Sequence, residues 1–158
     1  MIGTGLRGQE HLDLLLRRDD VELVAICDVD DHMLGMAKEI ISKSGKKMPQ
    51  VFTGDNYAWK KLLETKNLDG IITATPWEWH KPIVIGALEA GIKYVATEVV
   101  LGITLEDHWE VVRAAEKVQR ECDDAGKCLL PPRRDGYIKY GKAGFVWRAD
   151  PFAGRLPA

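Results

Sequence analysis

M-I-G-T-G-L-R-G, residues 1–8, places Gly3, Gly5 and Gly8 in G-x-G-x-x-G spacing. In a phosphate-binding turn each glycine has its own task. The first permits the tight bend, the second lets the backbone approach a pyrophosphate, and the third lets a helix pack close to a strand. Thr4 lies inside the turn. The next stretch, about Gln9 to Arg18, reads as a helix whose first N–H groups point at bound phosphates. Glycines also punctuate ordinary turns, so the motif needs context. V-E-L-V-A-I-C-D-V, residues 21–29, supplies it as a β-branched apolar strand ending in an acid. Asp28 follows Gly8 at about the 20-residue spacing of a carboxylate that binds adenosine ribose hydroxyls. The bland reading is that Asp28 merely begins a turn. As a cofactor contact it favours NAD over NADP, because a carboxylate repels a 2′-phosphate.

A Rossmann unit carries a central strand ahead of its glycine turn. Here only Met1 and Ile2 stand there. The expectation is a truncated first strand, with neighbouring strands left with unpaired backbone groups, in a chain that begins at an internal methionine of a longer gene. The alternative is a first strand only two residues long.

Outward from this point, strand and helix alternate. Residues 30–44 read as a helix on Met33, Met36, Ala37, Ile40 and Ile41. Ser42–Pro49 reads as a polar loop, 50–53 as a short strand and 57–66 as a helix turning Leu62 and Leu63 inward. D-G-I-I-T-A-T (69–75) has the continuous apolar run of a buried parallel strand. Pro76–Pro82 reads as a loop, 83–90 as a helix capped by Gly91, and 92–98 as a strand. Thr104 opens a helix with Glu106 and Asp107 in its first turn and Leu105, Trp109, Val112 and Ala115 as its inner stripe. The predicted fold class is α/β, a Rossmann-type doubly wound parallel sheet. Ligands of such sheets bind beyond the C-terminal strand ends: Gly3–Gly8, Asp28, Thr75–His80 and Glu98.

Composition narrows the class. The 158 residues carry 22 basic and 24 acidic side chains, a net charge of −2, which leaves no footprint for nucleic acid or an anionic membrane. No apolar run is long enough to span a bilayer, and no charged region followed by an apolar one marks a signal peptide. The cytoplasm is therefore the default compartment, with export of an intact parent left open. Cys27, Cys122 and Cys128 lack C-x-x-C spacing, which argues against a disulfide scaffold or a zinc site. His11, His32 and His108 show no metal-like clustering and read as surface or packing residues.

T-P-W-E-W-H (75–80) and E-V (98–99) point further. The N-terminal part, residues 2 to about 121, resembles the Gfo/Idh/MocA oxidoreductase family, whose members carry G-x-G-x-x-G, a T-P-x-x-x-H loop and an E-K-P loop. The T-P-W-E-W-H loop and the run E-V-V-L-G-I-T-L-E-D-H-W (98–109) resemble one branch more closely, glycoside hydrolase family 109. The resemblance implies NAD as cofactor and an α-N-acetylgalactosaminidase-like reaction. In it a sugar 3-hydroxyl is oxidised, the leaving group eliminated, water added and the ketone reduced back. It assigns cofactor contacts to Gly3, Thr4, Gly5, Gly8, Asp28, Thr75, Pro76, Trp77, His80 and Glu98, with Trp79 on the same edge, and implies a sugar substrate and a possible homo-oligomer for the intact parent. The sequence departs at Val99, where the family's proton-transferring lysine stands. A valine moves no proton, which weakens the reading of a plain sugar or polyol dehydrogenase. A non-catalytic nucleotide-binding module is the third alternative. No catalytic residue is assigned.

From Cys122 the character changes, with Pro131-Pro132, five glycines and neither helical nor strand period. The bland reading is a linker with a stub of a second domain. The sharper one is a reading shift near residues 119–122. Synonymous codons for residues 123–157, read one base later, yield M-M-L-E-N-V-C-Y-R-R-D and a helix-like continuation that resembles family 109. The expected organisation is a truncated dinucleotide-binding domain over 1–121 and an out-of-frame tail over 122–158, with the substrate domain missing and the fragment inactive.

Overall fold

The computed structural model describes residues 1–125, 137–139 and 146–148. Strands and helices alternate along the chain: α1 (Leu6–Leu16), β1 (Ala25–Cys27), α2 (Asp31–Lys43), β2 (Gln50–Phe52), α3 (Ala58–Leu63), β3 (Gly70–Thr73), α4 (Trp77–Glu89), β4 (Tyr94–Thr97) and α5 (Leu105–Ala125). β1 runs parallel to β2 with Ile26 opposite Val51, and β3 parallel to β4 with Ile71 opposite Val95. Ile2 joins the two pairs, bridging Cys27 on one side and Thr73 on the other. The spatial order is thus β2, β1, the Ile2 segment, β3, β4, all parallel. Ala25 and Cys27 pack into one apolar cluster with Trp59, Leu62, Ile83 and Ala87, while Ile26 packs into another with Leu12, Leu34, Ala37 and Ile41. Alternate strand residues therefore bury against helices on opposite faces, as a doubly wound sheet requires.

The first strand is two residues long in its pairing, and those residues do more than expected. Gly3 N–H donates to the Cys27 carbonyl at 2.8 Å and Cys27 N–H to Met1 at 2.9 Å. On the other side Ile2 N–H donates to Ile72 at 2.9 Å and Ala74 N–H to Ile2 at 2.8 Å. The central strand ends are paired on both sides rather than left open. The terminal amino group donates to Ala25 at 2.8 Å, and complete burial pulls its pKa down to about 5.

Four sequence expectations change. Pro76–Pro82 is not a loop: Pro76 is the N-cap of α4 and Pro82 lies within it. A proline at the cap has the backbone φ a helix entry needs; Pro82, in the second turn, forfeits the ladder bond to Glu78 and crowds that carbonyl, yet the helix runs on to Glu89. On α2 the buried stripe is Leu34, Ala37 and Ile41, while Met36 is exposed. On α5 three of the four residues expected on the inner stripe face outward, Leu105 at 76 % and Trp109 at 52 % exposure and Val112 exposed as well, while Ala115 packs inward as expected. The helix packs instead through Val111 (8 % exposed), Ala114, Ala115 and Val118 against Val84 and Leu88 of α4. Finally, α5 continues to Ala125, and β5 (Tyr137–Lys139) pairs antiparallel with β6 (Val146–Arg148) inside the segment read as lacking strand period. The remainder of the tail reading lies outside the described residues.

Local caps follow from sequence. Asp30 accepts from the N–H groups of His32 and Met33 at the start of α2. Thr104 and Asp107 form a reciprocal box at the start of α5, with Asp107 N–H on the Thr104 hydroxyl and Thr104 N–H on the Asp107 carboxylate. Lys81 of α4 bridges to Asp107 at 2.6 Å and Glu110 at 2.8 Å. The ammonium holds Asp107 far below the usual carboxylate range. No helix among the described residues is long and apolar enough to cross a membrane.

Candidate functional site

The strand ends gather the glycine turn, the acid and the T-P loop around one cavity of about 300 Å³. It is lined by Gly3 and Gly5 of the turn, Asp28 after β1, Asn56 before α3, and Thr75, Pro76 and Trp79 at the start of α4. The turn owes its shape to its glycines. Gly3 has φ +83°, and a Cβ there would sit 2.5 Å from the Ala74 carbonyl oxygen. A Cβ on Gly8 would overlap the Gly3 carbonyl oxygen. Gly8 therefore lets α1 press onto the turn. Gly5 differs: a Cβ there would meet nothing within 4 Å, and the space beside it is open.

Asp28 and the turn lie together. Thr4 N–H donates to Asp28 Oδ2 at 2.5 Å and the Thr4 hydroxyl to the same oxygen at 3.0 Å, while Asp30 N–H donates to Oδ1 at 3.0 Å. Thr4 is fully buried, so it braces the acid and does not line the cavity. Oδ2 has both acceptor sites taken by Thr4, whereas Oδ1, with one donor, keeps a lone pair for a ligand hydroxyl. Cys27 also lines the cavity. Burial pushes its thiol up to about 11, which keeps it from acting as a nucleophile at neutral pH.

Of the ten residues singled out from sequence, Gly3, Gly5, Asp28, Thr75 and Pro76 line the cavity, and Thr4 and Gly8 support it from behind. Trp77 stands 60 % exposed on the outer side of the first turn of α4, whereas Trp79 faces in and meets Tyr57 edge-on at 5.5 Å. His80 is buried at 1 % exposure, with Nδ1 2.6 Å from the Val100 carbonyl oxygen and Nε2 2.8 Å from that of Thr75. Glu98 follows β4 and meets α1: Arg7 Nε donates to Oε1 at 2.8 Å, and His11 Nε2 lies 2.5 Å from the same oxygen. His11 and the Arg7 guanidinium hold Glu98 below the usual carboxylate range. His11 is thus tied to the strand ends, the packing rather than the surface alternative. Its partner lies 87 positions away, beyond any local signal. Asn56 and Trp59 were missed, because a loop or helix residue becomes a cavity wall only once the sheet has formed. Among the described residues no group of three potential ligands is placed to hold a metal ion.

A parallel sheet, a glycine turn opening a helix, and an acid at the next strand end define a dinucleotide-binding domain. Residues 1–123 match the family model described as oxidoreductase family, NAD-binding Rossmann fold. The chain belongs to this Gfo/Idh/MocA family, and NAD is the cofactor of its fold. It is 53 % identical over 115 residues to a glycosyl hydrolase family 109 protein of Stenotrophomonas maltophilia, covering 72 % of this chain and 25 % of the relative. Against an alpha-N-acetylgalactosaminidase of Shewanella oneidensis it is 38 % identical over 121 residues, covering 77 % and 26 %. Among solved structures it resembles myo-inositol dehydrogenase from Lactobacillus casei in complex with NAD(H) and myo-inositol. That match has a TM-score of 0.61 and 26 % identity over 73 % of this chain and 32 % of the other. The WlbA dehydrogenase of Chromobacterium violaceum, solved with NADH and UDP-GlcNAcA, gives a TM-score of 0.61 at 28 % identity, covering 75 % and 31 %. The chain spans about a quarter of the length of the curated relatives it matches.

Proposed function

We propose that this chain binds NAD across the Gly3–Gly8 turn and serves as the cofactor domain of an NAD-dependent glycosidase acting on a hexosaminide. One observation carries the binding reading. The Asp28 carboxylate is hydrogen-bonded to the turn itself, so pyrophosphate and ribose contacts lie side by side on one cavity. The residues suit the group. The turn leaves open space at Gly5 for a diphosphate, α1 presents its N-terminus there, and Asp28 Oδ1 retains an acceptor for a ribose hydroxyl. Thr75, Pro76 and Trp79 would flank the nicotinamide end, and Glu98 would accept a hydrogen bond at its edge. Bound NAD supplies reversible hydride transfer, which in a glycosidase of this type is returned to the sugar within each turnover.

Two observations favour the glycosidase over a dehydrogenase: the family 109 relatives, and Val99 where a dehydrogenase of this family has a lysine. The substrate contacts of such a parent would come from a further domain, and residues 1–121 as the dinucleotide-binding unit alone are expected to turn over nothing. Calorimetry of the chain with NAD and NADP tests the reading. Micromolar to submillimolar NAD binding with NADP at least tenfold weaker supports it, and equal affinity for both, or none for either, refutes it. For the parent, nitrophenol release from an N-acetylgalactosaminide without net NADH supports the glycosidase, while NADH accumulation with a free sugar or polyol overturns it.

A further inference from the structure

His80 is enclosed by protein, and both of its ring nitrogens face acceptors. The carbonyl oxygens of Val100 and Thr75 lie 2.6 Å from Nδ1 and 2.8 Å from Nε2. A carbonyl oxygen can only accept. A neutral imidazole has one N–H and one bare lone pair, so it satisfies one of these contacts and sets lone pair against lone pair at the other. Both contacts are hydrogen bonds only when both nitrogens carry protons. We propose that His80 is a buried imidazolium and a positioning residue. Its two N–H groups tie the Thr75–Pro76 turn, which lines the cavity, to the Val99–Val100 segment that follows Glu98.

The surrounding charges do not supply a counterion. On α4 itself Glu78 is exposed and Lys81 is clamped by Asp107 and Glu110 of α5. After β4, Glu98 is held by Arg7 and His11 of α1. On α5 the His108 ring bonds the Thr104 carbonyl. Among the described residues no carboxylate forms an ion pair with His80, so backbone carbonyl dipoles alone compensate the ring. Its charge adds positive potential behind the strand ends, the sign that suits an anionic ligand. When the ring loses one proton, one of the two ties becomes a repulsion and the two loops uncouple.

The test uses the whole 158-residue chain with ¹⁵N-histidine and ¹³C-carbonyl labels, followed by NMR from pH 5 to 9 in parallel with NAD calorimetry. The affinity arm rests on the NAD reading above, whereas the spectroscopic arm does not. The expected result is a folded state in which both His80 nitrogens are protonated and the Thr75 and Val100 carbonyl signals are both shifted by hydrogen bonding. Loss of one proton then moves one carbonyl signal and weakens NAD about tenfold, the scale of one charge-assisted hydrogen bond. His80→Gln should bind weakly and without that step, and the step should survive His11→Gln, which removes the imidazole on Glu98. A His80 ring with one bare nitrogen throughout the folded range overturns the proposal. So does a proton loss that leaves both carbonyl signals unmoved. If NAD binds, an affinity step retained in His80→Gln overturns it as well.

Discussion

Replacing single glycines of the turn with alanine separates folding from binding, because the three glycines meet different surroundings. At Gly5 the backbone has φ −62° and ψ −170°, which alanine adopts without strain, and a Cβ there touches nothing. Gly5→Ala should therefore leave stability within about 0.5 kcal/mol of the parent, or raise it slightly by restricting the unfolded chain. The added methyl enters the open space at the turn, and NAD affinity should fall at least about tenfold, roughly 1.4 kcal/mol. At Gly8 the methyl collides with a backbone carbonyl that cannot swing aside, so Gly8→Ala should cost about 2–3 kcal/mol of stability. Gly3→Ala adds about 1–2 kcal/mol of left-handed strain to its 2.5 Å contact with Ala74. For a domain of this size each kcal/mol lowers Tm by roughly 3–5 °C. Thermal unfolding by circular dichroism, paired with NAD calorimetry, reads both quantities. Gly5→Ala binding NAD as tightly as the parent, or Gly8→Ala melting at the parent temperature, would refute the assignment of the three glycines.

Other outcomes follow from burial and charge. In a chain that begins at Met1, the folded amino group has a pKa near 5 against 8.0 unfolded, so the unfolded state takes up the proton first as pH falls. Stability is then full above pH 8 and is lost progressively down to pH 5, by up to about 4 kcal/mol. Urea unfolding across that window checks it, and acetylating the amino group should flatten this contribution. On α5, Trp109→Gln should change stability by less than about 0.5 kcal/mol, whereas Val111→Asp, placed against Val84 and Leu88, should cost more than about 3 kcal/mol by burying a charge. Equal effects of the two would return α5 to the orientation expected from sequence. For the tail, DNA sequencing of the locus decides the reading-shift proposal: codons at 123–157 incompatible with the alternate frame end it.

Features that depend on near neighbours were legible from the chain alone. The glycine spacing and the acid about 20 residues on announced the fold, since both report backbone geometry within one βαβ unit. Asp30 capped its helix, and Thr104 and Asp107 formed their box, because the partners lie within one turn. What only the tertiary structure decided involves partners far apart in sequence or a choice between equivalent faces. α5 carries apolar residues on two sides, and nothing local says which side α4 will cover. Trp77 and Trp79 look alike in T-P-W-E-W-H, yet the helical start at Pro76 turns one outward and the other into the cavity. Glu98 found Arg7 and His11, and His80 found two carbonyls on separate strand ends, because parallel strands bring their C-terminal ends to one edge regardless of their order in the chain. Local sequence sets the backbone's options, and the sheet selects among them by placing distant residues side by side.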